Sequence, residues 1–222
     1  MSTLPDPPEC LPCRTQTENL SYAVAVAVTA VALLSPEAAF SHVESVTAGD
    51  GRFIGGALHP ITGLDHVAAM VAVGLWGAVL GAPAIWLLPI AFPLVMAFGA
   101  VLGVMGVPVP AIDLGIAASG IVLGAMVAAS ARPPLAIAFA LISLFAIFHG
   151  HSHGTALPDF GVPLLYAAGF VIATGLLHVC GIALGLLVRW PAGRTAVRVT
   201  GALIVAVGLY HLAFAAGVGP GR

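Results

Sequence analysis

Two histidines and one aspartate fall within eight residues at the head of a single apolar stretch: His59, Asp65 and His66, in HPITGLDHVAAM. Neutral imidazoles and a carboxylate are ligands for transition-metal dications. Packing does not account for them, because a charged group near the centre of a bilayer helix costs about 2.5–3.5 kcal/mol on insertion scales. His59 precedes Pro60, which suits the first turn of a helix and makes His59 a cap or pre-helical residue. Seven residues separate His59 from His66, so on one straight helix they share a face but stand about 10.5 Å apart along the axis. That is too far for one metal with imidazole bonds of about 2.0–2.1 Å. Gly63 lies between them and could unwind a turn, as broken transporter helices do around ions. Met70 faces the same way as His66 and adds a soft thioether, while Asp65 points about 100° aside, as a ligand from a kinked backbone or as a partner to the ring.

A second group is the run FHGHSHG, with His149, His151 and His153. Residues two apart diverge on a helix and share a face in an extended chain. Gly150 and Gly154 favour leaving the helix, so the run is expected to be extended, with the three imidazoles in one row. Such a row suits Ni, Zn, Cu or Fe and not Mg or Ca. Further ionisable residues are scattered through the apolar stretches: Asp113, His178 and His211. Asp113 could instead cap its helix. His211 reads more simply as an interhelical hydrogen-bonder, and His178 could be satisfied structurally beside Thr174 and Cys180. Met96, Met105 and Met126 read as packing residues.

The elements that must position these residues lie in a bilayer. Of 222 residues 60% are hydrophobic and 7% charged, there is no lysine, and the net charge is −2; mean hydropathy is +1.09. A soluble domain carries about 25% charged residues. The composition excludes a soluble enzyme, a disordered hub and a nucleic-acid binder. The reading is an all-α polytopic membrane bundle with about six spanning helices after an N-terminal signal segment. Spans are expected at Leu58–Leu80, Ala84–Met105, Ile112–Ala131, Leu135–Phe148, Val162–Val188 and Ala196–Val218. Most are near the ~20 residues a crossing needs; the fourth is short and is expected to begin earlier or tilt. Breaks at Gly81-Ala82-Pro83, Val107–Pro110 and Arg132-Pro133-Pro134 make neighbouring spans antiparallel.

Residues 1–41 read as a leader and 42–222 as one permease domain. The apolar run Tyr22–Leu34 covers about 20 Å as a helix, short for a crossing and right for a signal peptide. Ala39-Phe40-Ser41 offers small residues for cleavage, which would leave His42 at the new N-terminus. An uncleaved anchor helix is the competing reading. Cys10 and Cys13 form a lone CxxC with no second pair to complete a zinc site. Arg132, Arg189, Arg194 and Arg198 fall on one side of the six-span arrangement, and the positive-inside rule puts that side in the cytoplasm. The mature N-terminus and nearly all the histidines are then at the periplasmic mouth.

At these residues the sequence resembles the HupE/UreJ family of nickel/cobalt permeases. HPITGLDHVAAMVAVGLWGA (59–78) is similar to the family's first-helix signature, HPxxGxDHxxAMxAVGLW. FAIFHGHSHG (145–154) is similar to FAxFHGxAHG, and GFVIATGLLHVCGIALG (169–185) to the fifth-helix pattern around an LLH. The resemblance implies a secondary metal permease of the bacterial inner membrane, with six helices after a cleaved signal, often encoded with hydrogenase or urease maturation genes. It implies metal handling by His59, Asp65, His66, His149 and His153, and matches His42 to a histidine common at the mature N-terminus. The chain departs where Asp113 replaces a common glutamate, Ser152 a usual alanine, and Ala156 a common acidic residue; His151 is often another residue.

The expected function is uptake of Ni²⁺, or Co²⁺, as transported substrate, with no prosthetic group. His42 and the His149–His153 row would capture the ion, His59, Asp65, His66 and Met70 would receive it, Asp113 would offset its charge, and His178 would be the next relay. Ligand imidazoles must be neutral, so uptake is expected to fall as pH drops through about 6.5. A membrane metal sensor or accessory subunit is the alternative. An intramembrane metalloenzyme ranks below it: HExxH is absent, and Ser119, in AASG, lacks the GxSG form.

Overall fold

The structure is a computed structural model that describes residues 53–156 and 163–218. The proposed leader, Cys10, Cys13 and His42 lie outside the described residues. Those described are all helical: α1 Phe53–Thr62, α2 Leu64–Leu80, α3 Ala84–Val104, α4 Ile112–Ala128, α5 Leu135–Thr155, α6 Pro163–Gly185 and α7 Pro191–Ala215, with a short 3-10 turn Leu186–Arg189 before α7. In hydrocarbon each backbone polar group must be satisfied within its segment, which helices do.

Helices α3, α5, α6 (with the 3-10 turn) and α7 are each long and apolar enough to cross a membrane, and α1 and α2 meet that test only when taken together across an 85° bend, the form of a broken span or of a re-entrant loop. The remaining apolar helix, α4, has 17 residues, the lower end of what a crossing uses. The chain is thus a polytopic helical membrane protein. The expected breaks fall between helices, and Pro191 opens α7, where the missing N–H is one of the orphan donors.

Helix α2 is the hub. It packs against α3, α4, α6 and α7, and every residue from Ala68 to Val79 except Val71 is buried. Hydrophobicity does not hold such a bundle together, because lipid tails are as apolar as leucine; close van der Waals packing does. Two further tight pairs are α3 with α5 and α4 with α7.

Helix α5 corrects the sequence reading twice. It extends past Phe148 to Thr155, so the short fourth span gains its length at the C-terminal end. The FHGHSHG run is therefore helical and not extended. Its glycines serve packing: a Cβ on Gly150 would overlap the Met96 carbonyl of α3, and one on Gly154 the Ala100 carbonyl. Glycine's low helix propensity, about 1 kcal/mol against alanine, is outweighed by the need for a closed backbone ladder.

Among the described residues the arginines, Arg132, Arg189, Arg194 and Arg198, lie at one end. Arg198 Nε donates to the Ala128 carbonyl at the end of α4 (2.9 Å), and Arg194 Nε to Val188 (3.2 Å). Both meet carbonyls that a helix end leaves without partners. Trp76 Nε1 donates to the Ala131 carbonyl at the same end (3.0 Å).

Candidate functional site

At the opposite end, the break between α1 and α2 and the C-terminal turns of α5 bring four imidazoles together. The His66 ring centroid lies 4.5 Å from that of His153 and 4.9 Å from that of His149, and His59 lies 4.9 Å from His153. The break falls at Gly63, whose backbone is extended (φ −94°, ψ 116°). His59 therefore rides on α1 and His66 on α2, and the axial separation expected of a straight helix does not apply. Any residue adopts that backbone geometry; what requires glycine is space, because a Cβ there would stand 2.8 Å from Asp65 Oδ1 and 2.9 Å from His66 Nδ1.

Asp65 is a partner to the ring. Its Oδ1 is 2.9 Å from His66 Nδ1 and also accepts the His66 amide at 2.9 Å. An ionised carboxylate only accepts, so Nδ1 carries the proton and the lone pair sits on Nε2. That Nε2 is buried and has no hydrogen-bond partner.

His149 and His153, four apart on α5, share the inward face. His149 is fully buried and His153 is 8% exposed. His149 Nε2 is 2.8 Å from Ser119 Oγ on α4, while His149 Nδ1 and His153 Nε2 have no partner. Phe170 stacks edge-on against His153 (4.6 Å), with Tyr166 beside His59 (6.0 Å).

His151 does not join the cluster. The helical geometry turns it away, and its Nε2 donates to the Val107 carbonyl after α3 (2.7 Å). The single row of three imidazoles is thus replaced by a pair and an outlier. Met70 is fully buried in the apolar core. His178 is 2% exposed; Thr174 Oγ1 is buried and unpartnered and Cys180 is exposed, so neither of these satisfies the ring, and the backbone partner in reach is the Pro89 carbonyl of α3. The Phe92 ring touches both sites, 5.9 Å from His149 and 5.7 Å from His178.

Asp113 does not cap α4, whose N-cap is Ala111 with no side-chain hydrogen bond. Asp113 instead lines a cavity of about 350 Å³ with Asp65 and His211. His211 Nδ1 donates to Val207 of its own helix (2.9 Å), not to a neighbour. Of the methionines read as packing, Met96 is buried and Met126 packs on the core, but Met105 is 70% exposed.

Among the described residues no three His, Cys, Asp or Glu side chains stand as a closed ligand set. The imidazoles are gathered without their donor atoms converging.

The family described as HupE / UreJ protein matches residues 28–211. The chain belongs to the HupE/UreJ family. It is also similar to Protein HupE of Rhizobium leguminosarum bv. viciae, 41% identical over 183 residues, which cover 82% of this chain and 94% of that relative. No solved structure matches. The HupE/UreJ match spans every residue of the cluster, from His59 to His153, together with Asp113, His178 and His211.

Sequence reasoning missed Ser119, Phe92, Tyr166 and Phe170. The aromatic residues carry no signal among so many apolar ones. Ser119 draws notice only as a nucleophile without the GxSG form, and its partner is thirty positions away.

Proposed function

We propose that this chain is a secondary transporter that carries a divalent transition-metal ion, Ni²⁺ first and Co²⁺ second, from periplasm to cytoplasm. The metal would serve maturation of an enzyme such as hydrogenase or urease, and no catalytic role is proposed for the chain. One observation carries the reading: His59, His66, His149 and His153 meet at one end of an apolar bundle, with buried ring nitrogens on His66, His149 and His153 left unpartnered. Unpaired buried polar atoms are rare and each calls for an explanation. Imidazole lone pairs suit Ni²⁺ and Co²⁺ and not the hard cations. Resemblance to nickel/cobalt permeases points the same way.

The open arrangement of donors suits a cargo better than a resident ion, since a cation that must leave is served by ligands that close around it only in passing. Asp113 and His211, sharing a cavity with Asp65, line the approach. Asp65 orients His66 and offsets charge in a low dielectric. His178, beyond Phe92, is the next position inward. On the positive-inside rule the arginine end would be cytoplasmic, and the imidazoles, with a leader-cleaved N-terminus at His42, would be on the periplasmic side.

The test is uptake by proteoliposomes under Ni²⁺, Co²⁺ and Zn²⁺, wild type against His66→Ala. Wild type should accumulate Ni²⁺ or Co²⁺ and the variant should not. Equal flux in the two proteins removes the pathway, and binding without flux turns the reading to a sensor.

A further inference from the structure

We propose that Ser119 sets the tautomer of His149 and thereby presents Nδ1 of that ring to the cation, an inference that rests on the transport reading above. Ser119 is fully buried in α4. Its Oγ stands 2.6 Å from the Ile116 carbonyl oxygen and 2.8 Å from His149 Nε2. A carbonyl oxygen can only accept, so an oxygen pair at that distance must hold the hydroxyl proton between them. A serine hydroxyl has one proton and two lone pairs. With the proton committed to Ile116, Oγ has only lone pairs left for the imidazole. His149 Nε2 must then carry a hydrogen and donate it to Ser119.

A neutral imidazole has one N–H and one lone pair, so the lone pair is on Nδ1. That atom is buried and has no hydrogen-bond partner. The His149 ring is in edge contact with His66 at 4.9 Å, and the free nitrogen of His66 is Nε2, because its Nδ1 faces Asp65. Two neighbouring rings thus each have one nitrogen tied by an acceptor and the other free. A metal-ligating histidine is commonly held in this way by its second nitrogen. Asp65 does this for His66 with a charge; Ser119 does it for His149 without one. Ser119 touches no cation itself and is a positioning residue.

The full chain in lipid nanodiscs, with ¹⁵N-labelled histidine and no metal, reads the tautomer from the ring nitrogen shifts, His149 being assigned through His149→Gln. Wild type should show the Nε2–H form at His149. Ser119→Ala should shift His149 toward the Nδ1–H form, and in proteoliposomes should raise KM for Ni²⁺ about tenfold with the maximal rate little changed. Ser119→Thr keeps the hydroxyl and should keep the wild-type tautomer. If His149 in Ser119→Ala keeps the wild-type tautomer, or if KM is unmoved, the assignment is overturned. Because the tautomer is read without metal, a wild-type protein that carries no cation fails the transport reading separately, whatever the nitrogen shifts show.

Discussion

Oδ1 of Asp65 accepts from Nδ1 of His66 at 2.9 Å, although the two residues are adjacent in sequence and diverge on a regular helix. The contact is possible because α2 begins one residue earlier, at Leu64, after the extended Gly63. It fixes His66 with its lone pair on Nε2, the buried nitrogen left without a partner. Asp65→Asn removes the charge and weakens the grip on the ring. Metal affinity should fall about 10–100-fold, as when such a supporting partner is lost elsewhere. Calorimetric titration of the detergent-solubilised protein with Ni²⁺ checks this.

Gly63 leaves no room for a side chain. Gly63→Ala places a methyl 2.8 Å from Asp65 Oδ1 and 2.9 Å from His66 Nδ1, so one of the two must move. Uptake should drop about tenfold or more by the same loss of support, while the elution volume of the protein stays that of wild type. Full uptake by this variant would show that the Asp65–His66 bond is dispensable.

His149 and His151 separate two pictures of the same segment. On the helix, His149 faces His66 and His151 faces the Val107 carbonyl. His149→Ala should abolish uptake, and His151→Ala should leave most of it. Comparable losses from the two would restore the extended row of imidazoles.

Gly150 and Gly154 predict a stability effect distinct from any ligand loss. Each faces an α3 carbonyl, Met96 and Ala100 respectively, with no space for a Cβ. Gly150→Val should destabilise the bundle by about 1–3 kcal/mol or more through overpacking, read as a lowered Tm in detergent without metal. An unchanged Tm would mean that α3 and α5 are not in contact there.

Much of this architecture was legible in the sequence. Pro83 and Pro134 mark where helices begin, the apolar runs mark roughly where they lie, and Arg132, Arg189, Arg194 and Arg198 mark one end, whereas α7 begins at Pro191, ahead of the expected Ala196. His59, Asp65 and His66 could be singled out because ionisable groups are conspicuous in an apolar run, and Gly63 was the visible place for the chain to bend. FHGHSHG was misread because local propensity spoke for an exit from the helix. Backbone satisfaction in lipid and the fit of Gly150 and Gly154 against α3 overrode it. Ser119 was invisible as a partner because nothing local to it names a residue on another helix. The angle of the bend at Gly63 was hidden for the same reason, since both α1 and α2 pack against α6, a distant part of the chain.

The bend also creates a helix beginning in the interior of the protein. The first amides of α2 have no turn before them, and the positive end of its dipole opens onto the site. Asp65 lies in that first turn and its Oδ1 takes the His66 amide as well as the imidazole proton. One oxygen therefore seals a frayed end of backbone and steers a ligand ring. Architecture and chemistry share a single atom here, and no substitution of that carboxylate can disturb one and spare the other.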